Sequence, residues 1–371
     1  MISSCIDQRK AASLLPPIET LREENATAVD QTVEPFAGRI PSCSAVRGAR
    51  RIPMKSALVG LLIAGCTGSL VRDTSSEPFP TTPDEVARGK YLVDAVTACG
   101  ACHTGRASGL LTDPEEPQRY LAGGNTLEDV GNFKLYVPNL TSDAETGLGK
   151  WSDDRISRAI RDGVDDEGTL LFPVMPFLSY QHMSDSDVRA IVAYLRTVPK
   201  ARPDRPWFDG DIPFMARWAI RLGFVHHAPA RNVPMPDRKD RVVYGKYVMY
   251  LAHCEECHAL GSRGPKGEDD DAFMGGSDKP FTTRGVGKVW ATNLTPDPEF
   301  GIAKYDDARV KDALRKGLRL EDGKPMAFPM SSYIPHFAAM TDADLDALIA
   351  YLRTLRQVHK QVPARELSST P

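Results

Sequence analysis

The feature that most constrains this 371-residue chain is an internal repeat, in which a short cysteine motif returns 155 positions later. Cys99–His103 has the sequence C-G-A-C-H, and Cys254–His258 has the sequence C-E-E-C-H. The repeat extends well beyond these motifs, since Asn139–Thr141 returns as Asn293–Thr295 at an offset of 154. A repeat of this length indicates two tandem copies of one folding unit.

Helical signals dominate both copies of the repeat. Apolar residues of segment 188–195 recur at i, i+3, i+4 and i+7, and those of segment 345–352 match them. This spacing predicts an amphipathic helix at the end of each copy, with Ser184 and Thr341 as the N-caps. Strand signals are scarce, so we predict a mainly α fold.

The cysteine motif itself predicts a cofactor, because C-x-x-C-H is the attachment signature of c-type haem. Two thiols one helical turn apart can each add to a vinyl group of one porphyrin, and the adjacent histidine then reaches the iron. The predicted attachment residues are Cys99, Cys102, Cys254 and Cys257, and the predicted iron ligands are His103 and His258. The chain is therefore expected to carry two covalently bound haem c groups.

The second axial ligand of each iron is predicted to be a methionine, the usual partner of histidine in cytochromes c, which raises the reduction potential. Met175 lies in a loop before the last helix of the first copy, and Met330 lies 155 positions later. Met326 fits the repeat less well, at an offset of 151, and remains the alternative. Met183 and Met340 begin helices in both copies and are expected to pack in the core, which leaves them as second-choice ligands.

The remaining histidines do not recur in the repeat and are expected to lie at the surface or in linkers. They are His182, His226, His227, His253, His336 and His359. The pair His226-His227 could still replace a methionine as an iron ligand. Asn139 and Asn293 are expected to form hydrogen bonds in the haem pockets.

Two other uses of C-x-x-C explain the sequence less well than haem attachment. A four-cysteine zinc site would give the two repeated histidines no common role. A thioredoxin-like redox pair needs a βαβ context that neither copy offers.

The N-terminal part of the chain has the signals of export rather than of a folded domain. Residues 1–53 lack sustained apolar periodicity and are predicted to be a discarded leader or a non-native extension. Residues 54–65 combine a basic start with a short apolar core, which predicts a lipoprotein-type signal peptide. Because Ile63–Cys66 resembles the bacterial lipobox, Cys66 is the predicted lipidation site and membrane anchor, and residues 66–82 are a flexible tether. An ordinary cleaved signal peptide, with Cys66 incidental, is the alternative.

The rest of the chain divides into two domains and two connecting segments. We predict domains over residues 83–200 and 239–358, a proline-rich linker over 201–238 and a tail over 359–371. The linker aromatics of segment 214–220 are expected to pack between the domains, with a docking surface as the alternative. Lys and Arg number 46 against 49 Asp and Glu, so nucleic acid is not an expected partner.

These motifs resemble bacterial di-haem cytochromes c related to the cytochrome subunits of membrane-bound alcohol, gluconate and aldehyde dehydrogenases. The resemblance covers about residues 83–358 and rests on Cys99–His103, Val137–Thr141, Gly147–Trp151, Val174–Pro176, Ala193–Arg196 and their second-half copies. It implies two tandem class I cytochrome c-like domains with long haem-wrapping loops. Those subunits typically carry three haem domains, whereas this chain has two motifs.

The resemblance also implies a function. It favours a periplasmic, lipid-anchored or secreted protein that passes single electrons between a membrane-associated dehydrogenase or quinone pathway and a terminal acceptor. Its redox protein partners would be a dehydrogenase, an oxidase or another cytochrome, and no catalytic residue is expected. The alternative is a di-haem enzyme such as a peroxidase or a thiosulfate dehydrogenase, which needs an exchangeable iron site or a cysteine ligand.

Overall fold

The computed structural model describes residues 74–130, 133–168, 171–172, 174–203, 208–210, 232–262, 264–283 and 285–368. These residues belong to one compact unit that contains both halves of the repeat. The predicted leader, the signal peptide and Cys66 lie outside the described residues, as do segment 214–220 and the pair His226-His227.

The first half of the repeat is mainly helical, as predicted. Helix α1 spans Pro83–Tyr91 behind a capping box of Thr82 and Glu85, and the chain continues as a π-helical turn over Leu92–Val96. The other helices are α2 (Gly100–His103), α3 (Asp153–Asp162), α4 (Phe177–Tyr180) and α5 (Asp185–Leu195), with a 3-10 turn over Pro117–Arg119.

The second half repeats this order of helices. They are α6 (Arg241–Leu251), α7 (Cys254–His258), α8 (Asp307–Lys316), α9 (Met330–Phe337) and α10 (Asp342–Leu352). The two predicted N-caps are confirmed: Ser184 Oγ accepts from the Asp187 backbone N–H at 3.1 Å, and Thr341 Oγ1 from that of Asp344 at 3.2 Å. No helix in the described ranges is both long enough and apolar enough to cross a membrane.

Short antiparallel strands connect the helices. One sheet has the order β1 (Thr126–Val130), β2 (Phe133–Tyr136) and β3 (Phe208–Gly210), and Thr126 pairs with Tyr136. The pair β4 (Leu260–Gly261) and β5 (Gly264–Pro265) follows α7, and β6 (Phe281–Thr283), β7 (Gly287–Val289) and β8 (Glu366–Leu367) form the third sheet.

The predicted tail and tether both contact folded structure. Strand β8 lies in the segment predicted as a tail and pairs with β7, so this part of the tail belongs to the second domain. At the other end, the backbone N–H of Phe79 donates to Asp153 at 2.7 Å and that of Ser75 to Asp154 at 2.9 Å. The end of the predicted tether is therefore fixed to the N-terminus of α3.

In each half, a glycine on the first helix allows the backbones of the first and last helices to pack directly against each other. A Cβ atom on Gly89 would lie 1.8 Å from the carbonyl oxygen of Ala190, and one on Gly245 would lie 1.9 Å from that of Ala347. Helices α1 and α5, and likewise α6 and α10, therefore cross without any side chain between them. The apolar faces around the two crossings form one continuous core.

The two halves are joined by a reciprocal pair of hydrogen bonds, which we call the tyrosine latches. The Tyr91 hydroxyl of the first half donates to Asp344 of the second at 2.5 Å. The Tyr247 hydroxyl of the second half donates to Asp187 of the first at 2.7 Å. Each carboxylate lies in the first turn of the last helix of its domain, so the contact is pseudo-symmetric.

Candidate functional site

Each cysteine motif forms its own short helix after a tight left-handed turn. The residue before the first cysteine has a positive φ in both halves, 48° at Ala98 and 41° at His253. That conformation is uncommon for residues other than glycine, so its recurrence shows that both motifs enter their helix by the same turn. The backbone N–H of His103 then bonds the carbonyl of Cys99 at 2.9 Å, which places the motif's side chains on one helical turn.

All four motif cysteines are partly buried, and none of them forms a disulfide. Burial raises the pKa of the Cys99 thiol to about 11 and that of Cys257 to about 12, and it also raises the pKa of Cys102 and Cys254. Both motifs therefore present two thiols within one helical turn, the arrangement required for attaching one porphyrin twice.

The two motif histidines are oriented in the same way. Nδ1 of His103 lies 2.8 Å from the carbonyl oxygen of Pro138, and Nδ1 of His258 lies 2.7 Å from that of Thr292. A carbonyl only accepts, so Nδ1 carries the proton and Nε2 keeps its lone pair for a metal. Burial lowers the pKa of His103 to about 4 and lowers that of His258, which keeps both rings neutral.

The carbonyls of Pro138 and Thr292 were not found by sequence reasoning, although each directly precedes a repeated asparagine. Asn139 Nδ2 donates to the carbonyl of Ala201 at 2.7 Å, and Asn293 Nδ2 donates to that of Val358 at 2.7 Å. Their expected place in the haem pockets stays a prediction. They tie the carbonyl-bearing loop to the chain that follows the last helix.

One backbone hydrogen bond occurs in both methionine loops and shows which of their residues correspond. The N–H of Leu171 donates to the carbonyl of Gly163 at 2.6 Å, and the N–H of Met326 donates to that of Gly317 at 2.7 Å. Met326 is thus the structural counterpart of Leu171, and Met330 is the counterpart of Met175, four residues further on in both halves.

The predicted ligands and packing methionines differ in burial. Met175 and Met330 are half-buried against the core, whereas Met183 and Met340 are buried within it. The packing role predicted for Met183 and Met340 is therefore confirmed.

Three of the unrepeated histidines lie at the contact between the halves, and two of them, His253 and His336, are not at the surface as expected. His336 is buried, with Nδ1 2.7 Å from the Asp94 carbonyl oxygen and Nε2 2.9 Å from Glu115. His182 is exposed, as expected, and stacks on Tyr250 with ring centroids 3.8 Å apart, whereas His253 is half-buried next to the second motif. Their single occurrence in the sequence reflects an interface in which the two halves contribute different residues.

The residues of both motifs fit covalently bound haem. Each motif supplies two thiols for thioether bonds and one neutral histidine whose Nε2 is free to bind iron. Haem bound there would supply a one-electron couple, while the protein orients the iron ligand and buries the attachment edge.

Comparison with known proteins agrees with this chemistry. The sequence model of cytochrome c matches residues 86–199 and 242–356. The fructose dehydrogenase cytochrome subunit of Gluconobacter japonicus is 30% identical over 80% of this chain and 57% of its own length. The gluconate 2-dehydrogenase cytochrome c subunit of Pantoea cypripedii is 27% identical over 81% of this chain and 65% of its own.

A relative of similar extent also exists. A diheme cytochrome c-type protein of Cereibacter sphaeroides is 29% identical over 85% of this chain and 100% of its own length. By contrast, the chain spans less than two thirds of the two dehydrogenase subunits. The chain belongs to the cytochrome c family, and its two cytochrome c domains carry two covalently bound haem c groups.

Proposed function

We propose that this protein is a periplasmic di-haem electron carrier that passes single electrons between a membrane-associated dehydrogenase or quinone pathway and a terminal acceptor. The observation that carries the proposal is the matched environment of His103 and His258, each oriented by one backbone carbonyl. Two equivalent iron sites suit the transfer of electrons better than a division of labour between a catalytic and a supporting haem. The relatives that are subunits of fructose and gluconate dehydrogenases support a dehydrogenase as the donor.

Met175 and Met330 are the proposed second axial ligands. Their equivalence follows from the matched hydrogen bonds of Leu171 and Met326, which favour Met330 over Met326. The loops between each motif and its methionine would wrap the haem. A histidine–methionine pair fills both axial positions, so neither iron is left open to peroxide or another substrate.

The proposed location is the periplasmic face of the inner membrane, with Cys66 as the lipidated anchor. A lipid anchor keeps an electron carrier close to membrane-bound donors, and it requires no additional protein surface for contact with the membrane. Replacing Cys66 by Ser should release the protein from the membrane fraction into the soluble periplasm, provided that export still occurs. Retention of the Cys66→Ser variant in the membrane would contradict the anchor.

The full chain, produced with both haems attached, tests the electron-transfer role. After chemical reduction, the protein should be reoxidised rapidly by an oxidised acceptor cytochrome in a stopped-flow spectrometer. It should show no turnover with hydrogen peroxide or thiosulfate. Catalytic turnover with either substrate would support the di-haem enzyme instead.

A further inference from the structure

An aromatic cluster lies between the two haem attachment motifs. Tyr180 comes from the first domain, and His253 and Tyr333 come from the second. The His253 ring packs edge to face against Tyr333, with centroids 5.1 Å apart, and against Tyr180, with centroids 6.1 Å apart. Tyr180 is buried, while His253 and Tyr333 are half-buried, so we call these three residues the aromatic bridge.

Both ends of the aromatic bridge reach the motifs directly. Tyr333, from the second domain, interacts electrostatically with the Cys102 thiol of the first domain. The same phenol interacts electrostatically with the thiol of Cys257 in its own domain. One side chain therefore faces an attachment cysteine of each haem.

A second connection runs through the backbone before the first motif. The Tyr180 hydroxyl donates to the carbonyl oxygen of Thr97 at 3.2 Å, and the Tyr180 ring packs edge to face against the His253 ring. The side-chain hydroxyl of Thr97 lies 3.2 Å from Cys99 Sγ. Since His253 directly precedes Cys254, Tyr180 connects the turn before one motif to the turn before the other.

We infer that Tyr333 is a positioning residue that holds the two attachment motifs against each other, and that this contact couples the two haems of one molecule. Since thioether bonds would fix each haem to its own cysteines, a side chain that interacts with both Cys102 and Cys257 connects the two attachment sites. Tyr333 is neither oxidised nor reduced in this role. The inference rests on the proposed electron-carrier function, to which it adds electron exchange within the molecule.

The experiment compares Tyr333→Leu, which removes the ring, with Tyr333→Phe, which removes only the hydroxyl. Soret-band circular dichroism of the full chain reports coupling, because two haems held close in a fixed orientation give a bisignate signal. The wild type and Tyr333→Phe should show this signal, and Tyr333→Leu should lose most of it. The rate at which an electron equilibrates between the haems after pulse reduction should fall severalfold in Tyr333→Leu, because the variant loses the contact that fixes the distance between the two attachment sites.

Tyr91→Leu is the matched control, because it removes another interdomain tyrosine that contacts neither motif. It should weaken the domain contact but keep the bisignate signal. If Tyr333→Leu does not incorporate two haems, His253→Asn provides the test, since asparagine tolerates the left-handed backbone and removes the ring. This variant should also lose the signal.

Three results would overturn the inference: a bisignate signal that survives in a di-haem Tyr333→Leu protein, an equal loss in Tyr91→Leu, or no signal in the wild type. Failure of the proposed function is a separate outcome. It would appear as a protein with two haems that exchanges no electrons with an acceptor cytochrome, whatever its circular dichroism.

Discussion

The two domains have the same backbone fold, but the side chains at their contact differ in size between the two halves. His336 of the second domain packs over Gly100 in the first motif, where a Cβ atom would lie 2.7 Å from the imidazole Cε1. In the other half, Ser179, the counterpart of His336, donates to Glu256 at 2.9 Å, and Glu256 follows the counterpart of Gly100 in the second motif. In both contacts a large side chain packs against a small one. The large side chain belongs to the helix before the last one in the first contact and to the cysteine motif in the second. Duplicated domains can therefore keep an interface geometry while their sequences diverge in compensating pairs.

The tyrosine latches show the same principle for charge. Asp187 accepts from Tyr247 and also forms a bidentate pair with Arg88, at 2.8 and 2.9 Å. Asp344 accepts from Tyr91 and interacts with the hydroxyl of Tyr244, which stands where Arg88 stands in the other half. One latch therefore contains an ion pair and the other only phenols.

The largest effect is expected from changes that disrupt the helix crossing found in both domains. Gly89→Ala and Gly245→Ala each place a methyl group within 2 Å of a backbone carbonyl oxygen, which forces the crossed helices apart. Each change should lower the free energy of unfolding by about 3 kcal/mol or more. Urea denaturation followed by far-UV circular dichroism measures the loss, and a change below about 1 kcal/mol would contradict the helix crossing.

The next largest effect is a difference in stability between variants of the two tyrosine latches. Asp187→Ala leaves the Arg88 guanidinium without its partner and should cost about 3 kcal/mol. Asp344→Ala removes the acceptor of neutral phenols only and should cost about 1 to 2 kcal/mol. Urea midpoints of the two variants measure the difference, and a larger loss for Asp344→Ala would contradict the assignment of charge.

The contact at the first motif can be tested by a double-mutant cycle. Gly100→Ala should destabilise the protein by about 1 to 2 kcal/mol, because the new methyl group meets the His336 ring. His336→Ala removes that ring, so the two changes together should cost less than the sum of each alone. Additive losses would mean that the two residues do not share this space.

The smallest effect depends on pH and on His336. Burial lowers the pKa of His336, but the hydrogen bond and charge of Glu115 outweigh it, so the pKa is raised above its ordinary value. Both ring nitrogens face acceptors, which only the protonated ring can satisfy by donating from each. Arg106, 3.6 Å from Glu115, and the side chain of Asp94, which bonds Lys90 and Tyr120, complete the charged surroundings.

Because the pKa is raised on folding, the stabilisation is full below the ordinary histidine pKa. It is lost as the pH rises through the folded value. The wild type should lose about 1 kcal/mol of stability over this interval, and His336→Gln should lose none. Urea midpoints from pH 5 to 9 provide the measurement, and identical pH profiles for both proteins would contradict the protonated contact.

The sequence was sufficient wherever a feature recurs. The cysteine motifs, both N-caps, the terminal amphipathic helices and the packing of Met183 and Met340 all follow from the repeat and from local helix chemistry. Contacts between the halves could not be predicted in this way, because each uses a residue without a counterpart. His336 stands opposite Ser179 in the repeat, and the position equivalent to Tyr333 is Pro176, so comparison of the copies gave neither residue a role. Backbone groups were also missed, since the carbonyl of Pro138 leaves no mark on residue type.

The absorption spectrum of the oxidised full chain tests the central claim, that both domains hold haem between histidine and methionine, most directly. The wild type should show two low-spin haems and the methionine-to-iron absorption band. Met175→Leu and Met330→Leu should each lose about half of the band, because each removes one of two equivalent ligands, and Met326→Leu should leave it unchanged. A high-spin haem in the wild type, or loss of the band in Met326→Leu with retention in Met330→Leu, would contradict the account.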